Sequence, residues 1–78
     1  MTKYETEILK RSYLCFRKAL RMNAEDKHYT GGRFTTALLA LDFKYQVDIL
    51  TTKGYSKKEI FEALNKSLEG EMENGSFV

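Results

Sequence analysis

TGGRFTTALLALDFKYQVDIL, residues 30–50, is the longest apolar-periodic run of the chain and sits at its middle. Read at the helical period, it is apolar on two sides. Phe34, Leu38, Leu41, Tyr45 and Ile49 form one face; Leu39, Phe43, Val47 and Leu50 form a second, roughly opposite. A helix that is apolar nearly all round is normally buried all round. In a chain of 78 residues that is hard to arrange without a second molecule. The expectation is that one face packs within the chain. The other, assigned to Leu39, Phe43, Val47 and Leu50, forms an oligomer interface, which a two-fold dimer covers with the same patch from its partner.

The rest of the composition sharpens this expectation. One core of this size supplies only about 3–5 kcal/mol, so small domains usually add disulfides, a metal or a partner subunit. Cys15 is the single cysteine, which excludes a disulfide within the chain. One Cys and one His do not complete a four-ligand zinc site, and no cofactor motif is present. Self-association is the stabiliser that remains. The lone cysteine and the lack of a signal-peptide pattern fit a reducing, cytoplasmic setting. No run approaches the ~18 apolar residues that span a bilayer.

Proline is absent, which favours uninterrupted helices with short connections. The expected fold is therefore all-α: a small three-helix bundle over residues 1–70, with 71–78 as an acidic, flexible tail. The first helix, over 3–25, carries an apolar arc of Ile8, Leu9, Cys15, Phe16, Ala19 and Leu20. The central helix runs from residue 32 or 34 to 53, and Gly54 stops it. Ser56-Lys57-Lys58-Glu59 is a capping box, with Tyr55 and Ile60 as its hydrophobic staple. It opens a short third helix over 57–68 that buries Ile60, Phe61, Leu64 and Leu68 and is closed by Gly70.

Charge is spread unevenly. Residues 1–33 hold eight Lys/Arg against four Asp/Glu, a net +4; residues 34–78 hold five against seven, a net −2. Much of the excess lies on one arc of the first helix: Lys10, Arg11, Arg17, Lys18 and Arg21, with Leu14 in its middle. Such an arc can neutralise phosphates without reading sequence. The nearly balanced whole-chain charge and the apolar Leu14 point instead to an acidic protein partner with an apolar pocket.

Catalysis finds little support. Cys15 lies on the apolar arc, where a cysteine behaves as a small hydrophobe, and carboxylates do not cluster at useful spacings. The candidate ligand loop is Lys27, His28, Tyr29, Thr30, Gly31, Gly32 and Arg33. A glycine pair leading into a helix offers free backbone N–H groups to an anion such as a nucleotide. Arg33 there stands in a first turn, where the helix dipole prefers an acid. The residues thus point to a non-catalytic binding protein acting as a homo-oligomer, most simply a dimer, on another protein. That format suits regulators, adaptors and inhibitors, including those carried by phages. An anion-binding oligomer and a non-specific nucleic-acid binder are the alternatives.

Overall fold

A computed structural model describes residues 1–25 and 32–73. They form three helices, α1 (Lys3–Glu25), α2 (Gly32–Thr52) and α3 (Lys57–Glu73), with no strand among them. The all-α bundle is as the periodicity predicts. Among the described residues, no helix is long and apolar enough to cross a membrane.

The start of α1, the end of α2 and the start of α3 are set by local capping. Thr2 caps α1: the Glu5 N–H donates to Thr2 Oγ1 at 3.1 Å, and the Thr2 N–H donates to Glu5 Oε1 at 2.9 Å. This is a complete reciprocal capping box. α2 ends in a Schellman turn at Gly54, whose φ is +108°. The Tyr55 N–H reaches back to the Leu50 carbonyl at 3.2 Å and the Gly54 N–H to that of Thr51 at 3.0 Å. Ser56 then caps α3, accepting from the Glu59 N–H at 3.1 Å. α3 does not stop at Gly70 but continues to Glu73. A glycine inside a helix costs only about 1 kcal/mol, and the strong helix formers Leu68, Glu69, Glu71 and Met72 outweigh it. The helix therefore runs past the boundary expected at residue 70. Residues 74–78, with the terminal Ser76-Phe77-Val78, lie outside the described residues.

The core is Leu9 of α1, Val47 and Leu50 of α2, and Ile60 and Leu64 of α3. Leu9 and Ile60 are wholly buried, each contributing about 1.5–3 kcal/mol by removal from water. Tyr13, Phe43, Tyr55, Leu68 and Met1 pack around these five. The Tyr13 and Phe43 rings meet at 5.6 Å and 56°, one of the tilted arrangements that aromatic quadrupoles favour. α1 packs most extensively on α2, and α3 closes on both.

α1 and α2 run antiparallel. Lys53, just past the end of α2, reaches Glu5 near the start of α1 at 3.0 Å. Midway along, Ser12 Oγ donates to Asp42 Oδ2 at 2.6 Å. Ser12 rather than Cys15 faces inward: Ser12 is buried and Cys15 is exposed. The apolar arc expected for α1 is thus turned. Its inner line is Leu9, Ser12, Tyr13 and Phe16, while Leu20 is also left exposed. The hydrogen bond to Asp42 satisfies the serine and makes its burial cheap.

The face of α2 that packs within the chain is the one that the expectation places at the interface. Leu39, Phe43, Val47 and Leu50 were assigned to an oligomer interface, yet Val47 and Leu50 sit in the intramolecular core and Phe43 packs against it. Leu39 is half-buried. The cause is the turn after α2. In a Schellman turn the residue after the glycine packs back on the third residue from the helix end. Here that brings Tyr55 onto Leu50 and carries α3 over the face containing Leu50 and Val47.

Candidate functional site

The opposite face of α2 is left open. Phe34, Leu38, Leu41 and Tyr45 are 71%, 51%, 62% and 62% exposed. Spaced four, three and four residues apart, they form one row about 16 Å long on one side of a helix. α1 and α3 both meet α2 on its other side, where Leu9, Ile60 and Leu64 pack with Val47 and Leu50. From partial exposures of this size, the four side chains offer on the order of 450 Å² of apolar surface. Contiguous apolar area of that extent commonly marks an interaction site.

The row continues onto α1. A groove of about 120 Å³ between the start of α1 and the end of α2 sets Tyr4 and Ile8 beside Ile49. Tyr4 is 75% exposed. Met22, two turns after Cys15 and four after Ile8 on the same strip by helical spacing, is exposed as well.

One end of this groove is held by a polar clasp. Glu5 Oε2 accepts from Lys53 Nζ at 3.0 Å, and Glu5 Oε1 accepts from the Tyr55 hydroxyl at 3.0 Å. With the Thr2 N–H as its strongest partner and Lys53 next, the Glu5 carboxyl is held down at about 2. The same carboxylate raises the Tyr55 phenol above its ordinary value. A carboxylate so fully supplied with donors is neither a general base nor an acid at neutral pH. It ties the connection between α2 and α3 to the start of α1. The Thr2-x-x-Glu5 pattern is its sequence signature; the long-range half, Lys53 and Tyr55, has none.

The basic arc of α1 is present and turned away from the core. Arg11, Arg17, Lys18 and Arg21 are exposed, and Leu14 is half-buried among them. Lys10 is the exception. Its side chain is only 12% exposed and pairs with Glu7 at 3.2 Å, while Arg11 meets the same carboxylate at 3.4 Å. Arg17 reaches the Tyr13 hydroxyl at 3.5 Å. The arc thus offers fewer outward cations than its sequence does.

Of the ligand loop, Lys27, His28, Tyr29, Thr30 and Gly31 lie outside the described residues. Gly32 opens α2 and Arg33 is exposed in its first turn. Among the described residues, no group of three or more His, Cys, Asp or Glu could hold a metal ion. The chain matches no family model, no curated protein and no solved structure.

Proposed function

We propose that this chain is a small non-catalytic binding protein that works as a homo-oligomer, joined through the outward face of α2. The observation that carries this reading is the row Phe34, Leu38, Leu41 and Tyr45, four large apolar side chains more than half exposed on one helix. A monomer gains nothing from holding them in water, whereas a second copy removes both rows from it at once. Assembly on this face leaves the basic arc of α1 outward on every copy. That arc, with Leu14 at its centre, suits an acidic protein as the further partner, in the manner of a regulator, adaptor or inhibitor.

Sedimentation over a wide concentration range tests the assembly. The wild-type chain is expected to pass from monomer to oligomer as concentration rises, and Leu41→Asp is expected to stay monomeric with its helical circular dichroism intact. A wild-type monomer at millimolar concentration overturns the reading.

A further inference from the structure

We propose that two copies pair their central helices antiparallel, about a two-fold axis that crosses between Leu38 and Leu41. This rests on the self-association proposed above and adds its geometry. The exposed row reads aromatic, leucine, leucine, aromatic, at spacings of four, three and four. Both the spacing and the residue classes are the same in either direction. A two-fold axis between residues 39 and 40 therefore exchanges Phe34 with Tyr45 and Leu38 with Leu41. Each aromatic ring then lies on a ring of the other kind, and the four leucines meet at the centre. That is the self-complementary patch a two-fold interface requires.

Charge chooses the same direction. Asp48 borders one side of the row, and Arg33, one residue before Phe34, is turned to that same side; both are exposed. Antiparallel pairing sets Arg33 within about two residues, some 3 Å along the axis, of Asp48 of the partner subunit. It does so twice, once on each side of the axis. Parallel pairing stacks Phe34 on Phe34 and Tyr45 on Tyr45, and leaves Arg33 and Asp48 about 22 Å apart along the helices. The antiparallel form also answers an anomaly. A cation in the first turn of α2 works against its own helix dipole, and the partner's Asp48 compensates it. Asp48 already pairs with Lys44 at 3.2 Å within its own helix, so it becomes the centre of a three-charge cluster. A standard interface buries about 800 Å² per partner. The row supplies roughly half of that, and Tyr4 and Met22 at the flanks of α1 extend it, so the pairing is of modest affinity.

Cross-linking decides the direction. In a Cys15→Ser background, which removes an exposed thiol, Phe34→Cys and Tyr45→Cys are oxidised separately and as an equal mixture, with sedimentation of each sample alongside. The expected result is a disulfide dimer in the mixture alone. Cross-links within each single variant mark a parallel pair and overturn the proposal while leaving self-association standing. A sedimenting dimer with no cross-link in any sample places the interface elsewhere and also overturns it. A wild-type chain that stays monomeric removes both this proposal and the reading beneath it. Charge exchange leaves the apolar row untouched: Arg33→Asp and Asp48→Arg should each weaken the dimer roughly tenfold, and the double variant should recover it. A double variant as weak as the singles overturns the pairing.

Discussion

The two faces of α2 are close to equal in composition and opposite in fate. Leu39, Phe43, Val47 and Leu50 line the inside, and Phe34, Leu38, Leu41 and Tyr45 line the outside. Hydrophobicity does not separate them. The inside face is the one that the Gly54 turn and the Ser12–Asp42 hydrogen bond cover. The lesson is that an apolar residue's role in a small bundle follows from where the connections lead, not from its own character. The outside row is then left exposed by the helices that cover the inside one.

The sharpest way to break this comparison is to delete the same side chain from each face. Leu50→Ala is expected to lose about 2–5 kcal/mol, since the residue is 5% exposed in the core. Leu41→Ala should cost the isolated monomer under about 0.5 kcal/mol. Urea unfolding at a concentration low enough to keep the chain monomeric compares the two. Equal losses would mean that the outer face is covered within the monomer.

The turn that selects the covered face comes next. Gly54→Ala should lose about 1–2 kcal/mol, because a φ of +108° is strained for any residue with a Cβ. Nothing lies within 4 Å of the added methyl, so the loss is conformational and not a clash. Gly70→Ala should move the other way, gaining up to about 1 kcal/mol of helix propensity, again with open space around the methyl. Thermal melts of the two variants should shift in opposite directions.

The clasp that locks α1 to both ends of that turn predicts an acid limb. In the unfolded chain Glu5 takes up its proton near 4.5, and in the folded chain not until about 2. Between these values the unfolded state binds more protons, so stability falls as the pH falls. The contribution is complete above pH 4.5 and gone below 2. Urea midpoints at pH 7, 4 and 2.5 should decline along that limb, and Glu5→Gln should flatten it. If Glu5→Gln titrates like the wild type, the clasp is not closed in solution.

A small gain is expected at Thr36, on the inward side of α2. Its hydroxyl is buried and has no hydrogen-bond partner among the described residues. Thr36→Val keeps the shape and removes the desolvated oxygen, so the melt should rise by the equivalent of about 0.5–1 kcal/mol. A loss instead would show that the hydroxyl is satisfied.

Much of this was legible in the residues. The three helices, the Gly54 stop and the Ser56 cap follow from period and capping chemistry, which act within a few residues. The turn of α1 was not legible, because Ser12 is buried only by virtue of Asp42, thirty positions away. Nor was the passage of α3 through Gly70, where the flanking helix formers outweigh a single glycine.

What the sequence determined by itself was that α2 is apolar on both sides and that the chain has neither disulfide nor zinc set to compensate. Which side faces in was decided by tertiary structure. The Leu50–Tyr55 turn contact, the Glu5–Lys53–Tyr55 clasp and the Ser12–Asp42 bond together commit α1 and α3 to one face. Periodicity reports the angle between two apolar faces, but it carries no information about which of them the neighbouring helices will reach.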